Sequence, residues 1–176
     1  PFASLVYRYF LKNCPQKNNL YFSIQTNGLL IQKMYSRNIW MFDRCRTIGL
    51  SIDGCSSDTY NTLRRGGSFE HLKKNLDFLK DIKSRHGFEV IFHCVVQAKN
   101  FMEMENYVHF AESRGADRIW FNRIVDWKTY TDFAEHDVVD PEHPLHTKFK
   151  EQLMKIKKYS YKDKKRFVEF PTLDNL

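Results

Sequence analysis

Four short runs in this sequence are apolar on both faces over much of their length: LYFSIQT (20–26), TIGLSI (47–52), FEVIFHCVV (88–96) and RIWFNRI (118–124). A strand of that kind has to be covered on both sides, which points to a parallel sheet with helical connections. Helical patterns do separate the runs. Residues 68–86 place Phe69, Leu72, Leu76, Leu79 and Ile82 at spacings of three and four, with Ser68 as N-cap and Glu70 in the first turn. Residues 101–114 follow Asn100, carry Glu103 in a capping-box-like position and stop at Gly115. Residues 29–41 form a less regular helix, and 145–158 a last one with Leu145, Phe149, Leu153 and Ile156 on one face. The stretch 126–144 is irregular. Only Gly49 falls inside a strand, which points to close packing at that position.

Strand–helix alternation predicts right-handed β-α-β crossovers and an α/β fold with a parallel sheet, open or barrel-like. The 176 residues, 42% hydrophobic and 28% charged, are enough for one soluble domain with a real core. No apolar run reaches the roughly 20 residues of a membrane span. The four cysteines, at 14, 45, 55 and 94, form no close cluster. They suit buried thiols in a reducing, cytoplasmic setting better than a disulfide framework or a zinc site.

Ligands of such sheets bind at the C-terminal strand ends. Those ends carry Thr26, Asn27 and Gly28; Ser51, Asp53 and Gly54, followed by Arg64 and Arg65; Gln97 and Asn100; and Asn122 and Arg123. Alternation puts Ser51 and Asp53 on one face of their strand, and His93, Val95 and Gln97 together on theirs. Hydroxyls, amides, an arginine and a lone carboxylate suit a zwitterionic ligand with a ribose, Arg64 taking a carboxylate in a two-pronged pair. Neither G-x-G-x-x-G nor G-x-x-x-x-G-K-[ST] is present, so nucleotide polyphosphates are disfavoured. The loop residues His136, Asp137, Asp140, His143 and His146 match no metal motif and read as turn chemistry. Cys55 reads as an incidental small residue and His93 as a core histidine or a residue facing a substrate. Trp120, Trp127, Tyr130 and Phe133 read as packing.

Four segments, QTNGLL (25–30), SIDGCSSDTYNTLRRGGSFEHL (51–72), CVVQAKNFMEME (94–105) and GADRIWFNRIVDW (115–127), resemble successive blocks of the radical S-adenosylmethionine (SAM) enzymes. The nearest branch is the one whose members often carry a SPASM or twitch-type cluster domain. The resemblance implies a partial, TIM-like (β/α)6 barrel over residues 1–127, with 128–176 as a C-terminal loop, helix and start of a further strand or linker. It implies a [4Fe-4S] cluster, SAM, an electron donor such as flavodoxin or ferredoxin, and a substrate that is a small molecule or a peptide. Thr26 and Ser51 would meet the methionine part of SAM, and Arg64 or Arg65 its carboxylate. Asp53 would stand beside them, with Gln97 and Asn122 lining the mouth.

The family's C-x3-C-x2-C cluster motif is absent. The expectation is a fragment whose missing strands precede residue 1, inactive alone, with the loop over 54–67 mobile or displaced. The net charge of +7 and the run KKYSYKDKKR (157–166) keep open a basic nucleic-acid-binding or protein-interaction domain without catalysis.

Overall fold

Every strand of the main sheet runs parallel to its neighbours, and their spatial order follows the chain, β1-β2-β3-β4-β7. The computed structural model describes residues 2–14, 20–128, 130–162 and 165–173. Its elements are α1 Leu5–Asn13, β1 Phe22–Thr26, α2 Ile31–Tyr35, α3 Ile39–Phe42, β2 Cys45–Ser51, α4 Ser57–Leu63 and α5 Phe69–His86. Then come β3 Glu89–Val96, a 3-10 turn at Phe101–Glu103, α6 Met104–Ser113, β4 Arg118–Arg123 and α7 His146–Lys157. The hairpin β5 Tyr161–Lys162 and β6 Lys165–Arg166 leads to β7 Val168–Glu169.

A doubly wound sheet reverses its strand order to put helices on both faces. Here the order never reverses, so successive right-handed crossovers leave every helix on the same side, as in a barrel wall. Burial agrees. Phe22 and Ile24, Ile48 and Leu50, Val90, Phe92, Cys94 and Val96, and Ile119 and Phe121 are all buried. They pack with Leu72, Leu76 and Leu79 of α5, Tyr107 and Val108 of α6, and Phe149 of α7. Each such side chain contributes on the order of 2 kcal/mol by leaving water. The opposite parity is polar and largely open: Ser23 and Gln25 are exposed, and Ser51, His93, Val95, Trp120 and Asn122 are partly exposed. The four predicted strands are therefore parallel, adjacent and in order, in a partial α/β barrel. Residues beyond 127 add α7 against α6, and β7 as the fifth strand.

Two local expectations need correction. The helix expected over 29–41 is two short ones, because Asn38 leaves helical geometry and its side-chain amide donates to the Met34 carbonyl. The 54–67 segment is not a displaced loop. It folds as α4, capped by the Ser56 hydroxyl and anchored by the fully buried Tyr60. The basic run 157–166 carries the β5–β6 hairpin, with 163–164 outside the described residues.

Candidate functional site

Asp53 organises the sheet's C-terminal edge. It follows β2 just where that strand leaves the ladder, and its side chain is only 7% exposed as a residue. Oδ1 accepts from the Val95 backbone N–H at 2.9 Å, and Oδ2 lies 2.7 Å from Arg64 Nε. That second contact is ionic, since Nε is not aligned for a hydrogen bond. Burial raises the Asp53 pKa, and the opposing pull of Arg64 and the Val95 N–H does not cancel it. Behind it, the buried Asn100 amide donates to the Asp53 and Val95 carbonyls at 2.9 and 2.8 Å and accepts from the Gln97 N–H at 2.8 Å. The ends of β2 and β3 are thereby fastened together.

Helix α4 brings Arg64 to this edge. Glu103 holds the helix start, accepting from the Ser56 and Thr59 hydroxyls at 2.6 Å each and from the Cys55 N–H at 3.3 Å. Burial pushes Glu103 up, but those bonds win and lower its pKa. Cys55, beside it, is pushed up to about 12 by burial and by that carboxylate, so it stays a thiol.

On the open face, register sets Ser51 beside His93, His93 beside Trp120, and Trp120 beside Glu169. The Gln25 amide donates to the Ser51 hydroxyl at 3.0 Å. Gly49 explains itself here: a Cβ would stand 2.5 Å from Gln25 Oε1 and 2.9 Å from His93 Nε2, so both side chains lie over the bare strand. Burial and the nearby Arg118 lower the His93 pKa, and the Trp120 ring meets it edge-on at 4.8 Å. The Trp120 indole donates to Glu169 at 3.1 Å. Gln97 Oε1 is buried with no hydrogen-bond partner among the described residues, an acceptor waiting for a donor.

Ser51 and Asn122 lie on the open face and Arg64 lines the Ser51 cavity, whereas Asp53 and Gln97 are buried just past the ends of β2 and β3. Thr26 does not share the open face. It pairs in register with Leu50, turns toward the helices and accepts from the Gly28 N–H at 3.3 Å. Thr26 nonetheless lines a cavity of about 510 Å³ together with Gln25, Asn27, Ser51 and Arg64. Gln25, not Thr26, is the β1 side chain that meets Ser51. Arg64, not the exposed Arg65, stands against Asp53.

The other ligand-type residues mostly have partners, although His136 Nδ1 is buried without one among the described residues. Asp137 binds Arg123 through both oxygens, at 2.6 Å at the closest, and His146 Nδ1 sits 3.1 Å from the Val138 carbonyl. Among the described residues no group of three His, Cys, Asp or Glu could hold a metal ion. Cys45, Cys55 and Cys94 are free thiols. A basic cavity of about 830 Å³ lies at the opposite, N-terminal end of β3 and β4. Its cations are largely tied: Lys83 to Asp117 at 2.6 Å, Lys162 to Glu112 at 2.5 Å, and Arg118 to Glu89 at 2.7 Å. No helix among the described residues is long and apolar enough to cross a membrane.

No family model and no curated protein matches the sequence. Solved structures do match the fold. SuiB of Streptococcus suis is similar over 93% of this chain and 35% of its own, with a TM-score of 0.60 and 17% identity. The structure of SuiB bound to S-adenosylmethionine is similar over 92% of this chain and 33% of its own, with a TM-score of 0.56 and 16% identity. The chain spans about a third of the length of these structures. At such identity the likeness is one of fold, a parallel-stranded partial α/β barrel.

Proposed function

We propose that this chain is part of the barrel of a radical SAM enzyme and that SAM binds at the C-terminal edge of its sheet. The observation that carries the reading is the cavity at the strand ends that Ser51 and an Asp53-paired Arg64 line together with Gln25, Thr26 and Asn27. The SIDG and RRGGSF blocks support it, as does the likeness of fold to a protein crystallised with SAM.

Ser51 and the outer nitrogens of Arg64 would hold the amino-carboxylate end of SAM. Gln97 would accept from the adenosyl part, and Asn122 would border it. Asp53 positions Arg64 and does not itself face the ligand. The chemistry that SAM would supply in such a family, hydrogen abstraction by a 5′-deoxyadenosyl radical, would depend on a cluster that the cysteines of this chain do not hold. The open face, with its neutral His93 and its Trp120, is where a small-molecule or peptide substrate would lie. A flavodoxin- or ferredoxin-like protein would supply the electron.

The cysteines do not fit a [4Fe-4S] cluster. Such a cluster needs several thiolates held together. Cys45 starts β2, Cys94 is buried in β3 and Cys55 opens α4, and burial raises the pKa of each. No step of the reaction is therefore assigned to a cluster held by this chain.

Calorimetry with SAM tests the binding. Weak, saturable binding is expected, reduced about tenfold by replacing Gln97 with Leu, which leaves a ligand donor unpaired. The same chain reconstituted anaerobically with iron and sulfide should gain no stoichiometric cluster. A longer form carrying C-x3-C-x2-C upstream should gain one and cleave SAM. Absence of SAM binding in both forms sinks the reading.

A further inference from the structure

The N-terminal ends of β3 and β4 open onto the cavity of about 830 Å³, at the end of the sheet away from Ser51. β3 has eight residues and spans about 26 Å, so an occupant of this cavity sits well apart from the proposed SAM site. One wall is the last turns of α5, with Lys80, Lys83 and Ser84. The other is the β5–β6 hairpin, with Lys162, Lys165 and Arg166. Six cations line the cavity against two carboxylates, Glu89 and Asp117.

The partly buried charges serve the fold. Arg118 donates to both oxygens of Glu89 at 2.7 Å, and Lys83 to Asp117 at 2.6 Å. Lys80 and Lys83 also donate to the Ser113 and Gly115 carbonyls at 3.0 and 2.9 Å, which fastens the end of α5 to the end of α6. Helix ends of this polarity present carbonyls with partial negative charge. The exposed cations differ. Lys165 makes no ion pair among the described residues, and Arg166 comes no nearer than 3.8 Å to Glu169. Lys80 meets a carbonyl and no carboxylate. Uncompensated cations therefore stand on both walls, around an interior rich in acceptors.

Such a receptor suits a ligand with carboxylates outside and N–H donors inside. We infer that the cavity docks an acidic polypeptide segment. Its backbone N–H groups face Glu89, Asp117 and the helix-end carbonyls, and its Asp and Glu side chains face Lys80, Lys165 and Arg166. A nucleic acid fits less well. Its backbone carries a charge at every step and no N–H donor, so phosphates would stand against the interior carboxylates. Single strands also stack their bases on aromatic rings, and the rings here, Phe88 and Phe167, are buried. Phosphate sites gather free backbone N–H groups at helix starts, whereas helix ends face this cavity. The inference is independent of the SAM reading.

The test is fluorescence anisotropy with a short labelled peptide rich in Glu and Asp, compared with labelled oligo(dT). The peptide should bind saturably, and less tightly as salt rises. Lys165→Glu with Arg166→Glu should weaken it about tenfold. Lys150→Glu with Lys155→Glu reverses two exposed charges on α7 and should weaken it no more than about twofold. On the unaltered protein, the peptide should shift the amide signals of 84–89 and 116–118 and leave 51–53 and 95–97 in place. That arm needs no variant to fold. Absence of saturable binding overturns the inference, as does an equal loss in the two double variants, which would mean that only net charge is sensed. Tighter binding of oligo(dT) overturns it in favour of nucleic acid. Shifts confined to 51–53 and 95–97, or displacement of the peptide by SAM, would place the peptide at the other edge and overturn it too.

Discussion

Replacing Arg64 with Ala should destabilise the fold by about 2 kcal/mol at neutral pH, before any ligand is considered. The loss comes from Asp53, left buried and charged without its cation. Fully buried pairs lose more when broken, but the Arg64 side chain is 30% exposed, and water moderates the effect. The pH dependence has a definite sign. The folded pKa of Asp53 is raised above its unfolded value, so its contribution to stability is fully present below the unfolded pKa and is lost as pH rises through the folded one. Without Arg64, whose charge pulls that pKa down, the loss deepens and extends toward neutrality. Urea unfolding at about pH 4 and about pH 7.5 should show a small deficit in the first and most of it in the second. Adding Asp53→Asn, which removes the charge and keeps an acceptor for the Val95 N–H, should restore most of the lost stability. Equal deficits at both pH values, or no rescue, would mean that the pair is not what holds this edge. The Asp53→Asn background is also where the ligand role of Arg64 becomes readable, because there Arg64→Ala no longer strands a buried carboxylate.

The strands were legible because covering a sheet on both faces leaves a mark that local sequence carries. Parity then ordered the side chains: Ser51 with Asp53, and His93 with Gln97, lie as alternation requires. Thr26 shows the rule neglected. It shares its phase with Phe22 and Ile24, so FSIQT itself places Thr26 against the helices and Gln25 on the open face. Thr26 and Ser51 still line one cavity, as the motif resemblance implies, because Thr26 is the last residue of its strand. Helix α4 was harder to read. SDTYNTL has one buried residue, and its stability comes from a Ser56 cap and from Glu103, which lies more than forty positions away in the chain. Contacts so distant in sequence leave no periodic trace. The Asp53–Arg64 pair depends on that helix, so it could not be read before the helix was placed.

Gly54→Ala should be among the most damaging single-methyl changes in the SIDG stretch. A Cβ at position 54 would stand 2.7 Å from the Tyr60 backbone nitrogen and 3.0 Å from the Thr59 carbonyl carbon. Backbone cannot rotate away as a side-chain tip can, so α4 must move as a body. Overpacking of that kind costs about 3 kcal/mol. The displacement would also pull Ser56 and Thr59 off Glu103, and would carry Arg64 away from Asp53 and from the Ser51 cavity. Gly66→Ala is the matched comparison. Its φ of 78° strains any side chain, but nothing lies within 4 Å of the added carbon, so the cost should be about 1 kcal/mol. Urea unfolding should therefore separate the two variants by about 2 kcal/mol. Hydrogen exchange should show faster opening over 57–63 in Gly54→Ala alone, and SAM affinity should fall far more there than in Gly66→Ala. If the two variants lose stability and affinity alike, α4 is not pressed against the end of β2, and the Arg64 it carries is not held in place by Gly54.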